Sequence, residues 1–376
     1  MKRLNALETL KTWECKSLEV VCEEIVVTEK EQEVVETTPP LFVFPKITSV
    51  QLCNLPQLTG CINASQLLSL KRLEVRGCDK VGIFAAEFSH FGKKYEMEPL
   101  MTSQKPLFLT DKDSFLDLER LSLFGMEIWD GPPPADQLVF SKLKSICFYG
   151  NCAPFSKQAS VLFLQSLQNL EEIAMRQNSY ERISGCTTRE EIHVGAIGSG
   201  TLPSVRSLTL RWMDQLKDLE NDNSQSLLLP NLETLELWFC SRLKSIESSA
   251  ITFRNLTTLR VWHCDGFEYI TSYSVAKSLV QLKTLEVASC QSVVVIVASN
   301  VGDDDADDAP GNEIVFSHLQ HLGLLNLPRL QGVSSENCTV KFPSSVTLSV
   351  YSCPIKLKIS PNGVLLRVIE DQSSSM

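Results

Sequence analysis

The sequence predicts an α/β solenoid: a leucine-rich-repeat horseshoe with a parallel β-sheet on its concave face and mostly irregular or short-helical convex segments. Three observations carry this expectation. The spacing L-x-x-L-x-L-x-x-C-x-x-L-x-x-I recurs along the chain, as in "NLETLELWFCSRLKSI" (231–246) and "NLTTLRVWHCDGFEYI" (255–270). Most copies follow one another at 23–27 residues, inside the window of leucine-rich repeats. The second half of each copy is too short for a long helix.

Twelve copies are anchored, by their first apolar position, at Leu7, Ile47, Leu70, Leu118, Leu143, Leu170, Val205, Leu232, Leu256, Leu282, Leu319 and Ser345. In the last, a serine stands where a leucine belongs. Four intervals are stretched by polar insertions near 28–40, 84–112, 181–200 and 301–313. Insertions in a solenoid fall in loops between units. The expected organisation is one solenoid of about twelve units over 1–360 and a solvated tail over 361–376.

Within each copy the elements follow in a fixed order. Phe44-Pro45, Phe140, Leu202-Pro203, Leu229-Pro230, Phe253, Phe316 and Phe342-Pro343 mark the entry to the strand. The x-L-x-L-x core alternates at period two, so its leucines face one side and the x residues the other. One copy cannot bury its own leucines; stacked copies share one core. Eight residues after the anchor the chain turns away, at a cysteine in six copies (Cys15, Cys78, Cys240, Cys264, Cys290, Cys353) and an asparagine in two (Asn151, Asn178). A buried cysteine there is a small apolar filler with a weak donor. The remainder is expected to run extended or 3₁₀, with helical spacing only in 156–170 and 274–282.

Composition excludes several functions. The chain has 376 residues, 43% of them apolar, and a net charge of −10, which argues against a nucleic-acid surface. No apolar run reaches the roughly 18 residues of a membrane span. The N-terminal "MKRLNALETLKTWECKSLEVV" has a strand pattern instead of a secretion signal. The expected compartment is therefore the cytoplasm or the nucleus, with the thirteen cysteines as thiols.

No chemistry emerges from the motifs. From Asp303, the sixth position of a calcium loop is Asp308 instead of glycine and the twelfth is Ile314 instead of glutamate. Cys147 with Cys152, or Cys53 with Cys61, lack zinc-site spacing. His263 and Cys264, adjacent on a strand, point to opposite faces. Asn63, Asn255 and Asn337 begin glycosylation sequons that have no use without secretion. No catalytic residue, metal or cofactor is expected.

The outward strand positions are informative. Six residues after each anchor stand Trp13, Cys53, Arg76, Phe124, Tyr149, Arg176, Arg211, Trp238, Trp262, Ala288, Leu325 and Tyr351. Six are aromatic and three are arginine, in a chain only 7% aromatic. These are the types enriched at binding hot spots. The same rings would also stiffen the sheet through cross-strand contacts. Two residues earlier, Lys11, Glu74, Glu236, Arg260 and Glu286 make the face amphoteric, which suits a protein partner. The candidate binding residues are Trp13, Arg76, Phe124, Tyr149, Arg176, Arg211, Trp238, Arg260, Trp262 and Tyr351.

The succession "FRNLTTLRVWHCDGFEYI", "LVQLKTLEVASCQSVVVIV", an acidic insertion, "EIVFSHLQHLGLLNLPRLQGV" and "FPSSVTLSVYSCP" resembles the leucine-rich-repeat region of plant nucleotide-binding, leucine-rich-repeat disease-resistance proteins of the coiled-coil class. Ile314, Phe316, Leu319, Leu322, Leu324, Leu327, Pro328 and Leu330 match that family's I-x-F-x-x-L-x-x-L-x-L-x-x-L-P-x-L unit. The family carries a nucleotide-binding module, yet no G-x-x-x-x-G-K-[S/T] loop occurs here and repeats begin within ten residues of Met1. The resemblance thus implies the recognition and autoinhibition region of an intracellular plant immune receptor. Its implied partners are a pathogen effector, a guarded host protein, or the receptor's own nucleotide-binding module. The rival reading is a substrate adaptor of a ubiquitin ligase, which should show an F-box helix bundle.

Overall fold

Twelve five-residue strands carry the paired inward positions of the repeat. In chain order they are β1 (Thr9–Trp13), β2 (Ser49–Cys53), β3 (Arg72–Arg76), β4 (Arg120–Phe124), β5 (Ser145–Tyr149), β6 (Glu172–Arg176), β7 (Ser207–Arg211), β8 (Thr234–Trp238), β9 (Thr258–Trp262), β10 (Thr284–Ala288), β11 (His321–Leu325) and β12 (Thr347–Tyr351). The computed structural model describes residues 6–19, 44–59, 62–63, 67–78, 80–86, 105–110, 115–124, 140–150, 164, 167–176, 201–217, 219, 228–248, 251, 253–298, 313–334, 339–343, 345–360 and 363–367. The insertions at 28–40, 181–200 and 301–312 lie outside them, as does most of 156–170.

The chain divides into two compact units, one over 1–154 and 158–170, the other over 155–157 and 171–376. Each is a stretch of leucine-rich-repeat solenoid. In the first, β1 to β5 form a parallel ladder in chain order. In the second, β6 to β12 do the same. Equivalent positions face one another throughout, so Leu208, Leu235, Leu259, Leu285, Leu322 and Leu348 form one inward column. All but the last are buried; Leu348, on the final strand, is half-buried.

The entry turns are closed by hydrogen bonds from the anchor to the residue three before it. Leu143 donates to the Phe140 carbonyl at 3.1 Å, and Leu256 and Leu319 do the same to Phe253 and Phe316. These entry rings stack in turn, as Phe115 does on Phe140 and Phe316 on Phe342. Asparagines just before the anchor tie one turn to the previous one: Asn231 Nδ2 donates to the Pro203 carbonyl, and Asn255 Nδ2 to that of Pro230. Asn255, read above as a sequon, is an element of this ladder.

Seven residues after the anchor the backbone takes the left-handed conformation in all ten copies described there. The residues are Glu14, Asn54, Gly77, Gly150, Trp212, Phe239, His263, Ser289, Asn326 and Ser352, with φ between 53° and 66°. Such a conformation is uncommon for anything but glycine. It is compensated by the ladder: the Trp212, Phe239, His263, Ser289 and Asn326 amides each donate to the last strand carbonyl of the next copy, at 2.7 to 2.9 Å. The bend drives the following residue into the core.

Behind the leucines, Tyr269–Ser272, Val295–Ala298 and Gly332–Ser334 form a second, short-stranded parallel ladder. The helix expected over 274–282 is confined to Tyr273–Ser278, capped by the Ser272 hydroxyl. Within the stretch read as the 84–112 insertion, parts of Val81–Ala86 and Lys105–Thr110 pair in parallel. The stretch read as a solvated tail contains a strand, Gly363–Arg367, antiparallel to Lys356–Ser360. The apolar residues Leu357 and Ile359, paired with Leu366 and Val364, account for it.

Candidate functional site

The outward row is where alternation places it, but its members differ in exposure. Trp13 and Tyr351 are open to solvent at 67% and 74%. Arg76, Tyr149, Arg176, Arg211, Trp238, Arg260 and Trp262 are half-buried, and the side chain of Phe124 lies outside the described residues. Cys53 and Ala288, in the same row, are buried at 4% and 5%, so the row is not uniformly open. In the first unit, the Arg76 guanidinium lies 5.5 Å from the Tyr149 ring centre, while Gln51 donates to Glu74 beside it.

The second unit gathers the densest set. Register puts Arg176, Arg211, Trp238 and Trp262 on successive strands. The Arg211 guanidinium lies 4.6 Å from the Trp238 ring centre, a cation–π geometry. The Trp238 and Trp262 rings are tilted by 40° with centroids 4.4 Å apart. Contact on this scale follows from the roughly 4.8 Å strand spacing, which leaves neighbouring indoles no room to stay separate. The indole N–H groups of both rings are buried without an acceptor among the described residues.

Beside the rings runs a charge ladder. Arg260 donates to Glu236 at 2.7 Å and to Glu286 at 3.1 Å, while Arg211 reaches Glu236 at 3.7 Å. The hydrogen bond to Glu236 raises the Arg260 pKa above its already high ordinary value, so the cation is fixed in charge. The carboxylates are the more enclosed partners, 16% exposed against 28% for Arg211 and 38% for Arg260. The guanidinium groups are thus the more open members of the ladder.

A second aromatic row escaped the sequence reading. At the left-handed position, Trp212 stacks on Phe239 at 5.7 Å and Phe239 on His263 at 4.4 Å, with ring planes within 12° and 2° of parallel. Trp212 and His263 are exposed. The signal was present: these three residues stand seven after their anchors, next to the outward row. Alternation ends at the strand, however, and cannot say where a residue beyond it points.

The cysteines at the bend have a structural task. Cys78, Cys240, Cys264 and Cys290 are fully buried, whereas Cys15 is exposed and Cys353 half-buried. The Cys264 thiol donates to the Trp262 and Leu237 carbonyls at 3.3 and 3.7 Å, and its sulfur accepts the Cys240 amide at 3.4 Å. Cys290 repeats the arrangement with Val261, Ala288 and the Cys264 amide. Burial pushes the Cys290 thiol up to about 12, and the hydrogen bond with Cys240, then burial, holds Cys264 well above its ordinary value. Such thiols are poor nucleophiles. Among the described residues no three His, Cys, Asp or Glu side chains come together as a metal site, and no helix is long and apolar enough to cross a membrane.

The repeat, its cysteine bend and its parallel ladders coincide with one known family. The family model for plant disease resistance protein RPS2-like leucine-rich repeats matches residues 114–252 and 246–359. The chain belongs to this family. No curated protein matches it. As an RPS2-like leucine-rich-repeat region it is a recognition module of plant disease resistance. The matched span covers all of β6 to β12, and with them the indole pair, the charge ladder and the Trp212–Phe239–His263 stack.

Proposed function

We propose that this chain is the protein-recognition and autoinhibition region of an intracellular plant immune receptor, acting in the cytoplasm or the nucleus. Its outer sheet face, opposite the leucines, holds the receptor's own nucleotide-binding module at rest and a pathogen effector or guarded host protein on activation. The observation that carries this reading is the contiguous Arg211–Trp238–Trp262 row, flanked by the second aromatic stack. Aromatic and arginine side chains pre-positioned on rigid strands are the common anchors of protein interfaces. The charge ladder beside them supplies orientation without making the face strongly basic or acidic.

A direct test measures binding of a purified nucleotide-binding module from an RPS2-like receptor to the chain and to its Trp238→Ala/Trp262→Ala variant. The reading expects at least tenfold weaker binding by the variant, because a central hot-spot aromatic carries about 2 kcal/mol or more. Equal affinity for both, with both folded, contradicts it.

A further inference from the structure

The outer face of the second unit has more hydrogen-bond donors than acceptors along one row. Arg176, Arg211, Trp238 and Trp262 are register neighbours, and every one of these side chains ends in N–H groups that cannot accept. The neighbouring column supplies carboxylates only at Glu236 and Glu286, and Arg260 engages both, at 2.7 and 3.1 Å. On β6 and β7 that column holds Ala174 and Thr209. Arg211 is left with a 3.7 Å approach to Glu236, and its Nε is buried without an acceptor, as are the two indole nitrogens.

We propose that Arg211 and Trp238 form a recognition site for one carboxylate side chain of an extended protein segment. The proposal rests on the reading of this face as a protein-binding surface and says how it reads its partner. Stacking on Trp238 at 4.6 Å fixes the plane of the Arg211 guanidinium, which leaves its edge as a pre-oriented fork for a carboxylate. Trp262, packed against Trp238, offers its ring to a neighbouring apolar residue of the same segment. The net charge of −10 repels an acidic protein as a whole. The site therefore selects a single acidic residue set beside an apolar one.

The test uses a phage library of random twelve-residue peptides panned on the full chain, with the enriched peptides then synthesised. Peptides whose binding is lost in Trp238→Ala occupy this face. They are expected to carry Asp or Glu next to an apolar residue. Changing that residue to its amide, or Arg211→Gln in the protein, is expected to weaken binding about tenfold or more, with Arg211→Lys intermediate. The peptide and protein changes are expected to be non-additive in a double-mutant cycle. Face-binding peptides no richer in Asp and Glu than the unselected library, or indifferent to both Arg211→Gln and Arg211→Lys, overturn the carboxylate site and leave the binding face standing. If all enriched peptides ignore Trp238→Ala, or none is enriched over the bare support, the site and the reading beneath it both fall. Unfolding midpoints of the variants accompany each measurement, and the amide change in the peptide gives the answer even where a protein variant does not fold.

Discussion

Replacing Cys264 separates the role of a thiol as filler from its role as a hydrogen-bonding link. Cys264 is fully buried; it donates to two carbonyls and accepts the buried Cys240 amide at 3.4 Å. In Cys264→Ala the sulfur is lost, which leaves a small cavity worth about 1 kcal/mol. The Cys240 amide is also left unpaired, which costs about 1–3 kcal/mol. Together these give a loss of about 2–4 kcal/mol. Cys264→Ser retains a donor and an acceptor at nearly the same place, so its loss is expected to be smaller, although the hydroxyl is costlier to bury than a thiol. Urea unfolding followed by tryptophan fluorescence measures both, with the slope checked for constancy. If Ser is as destabilising as Ala, or more so, the sulfur serves only as packing and the cysteine-ladder account is refuted.

Three further outcomes are expected. Leu235 is fully buried, so Leu235→Ala should cost about 2–5 kcal/mol. Trp238→Ala should cost less than about 2 kcal/mol, since the loss of stacking and cation–π contact is offset by removing a buried unpaired N–H; equal losses in thermal unfolding would reverse the inward and outward assignment. Stability should also fall with rising pH. The folded Cys290 thiol is held to about 12, whereas an unfolded cysteine ionises near about 8.5, so the stabilisation is complete below the unfolded value and is lost as pH rises toward the folded one. Each such thiol contributes a slope of about −1.4 kcal/mol per pH unit in that window, and Cys290→Ala should flatten the slope.

Much of the fold could be read from leucine spacing, because an inward column at period two has one parallel solution when copies recur at a fixed interval. The register of the outward row followed from the same alternation, with Arg211, Trp238 and Trp262 on successive strands and Arg260 in the column beside them. What the spacing could not show was the left-handed residue after each strand. Trp212, Phe239 and His263 are types that rarely adopt it, and it is the next copy's carbonyl that holds them there. The cysteine position was legible, but its acceptor role was not, since that depends on the amide of the preceding copy. Nor could spacing show that Trp238 and Trp262 are half-buried instead of open, because ring contact across strands removes area that alternation alone assigns to solvent. The C-terminal strand was hidden by reading composition, a serine-rich end, ahead of the alternation just before it.

The claim that this outer face binds protein is tested most directly by fluorine NMR of the chain labelled with 5-fluorotryptophan, whose five tryptophans include Trp212, Trp238 and Trp262. With single Trp→Phe variants to assign the lines, the nucleotide-binding module of an RPS2-like receptor is titrated in. The account predicts that the Trp238 and Trp262 lines shift or broaden on binding, with Trp212 following. Saturable binding that leaves the Trp238 and Trp262 lines unmoved would contradict it.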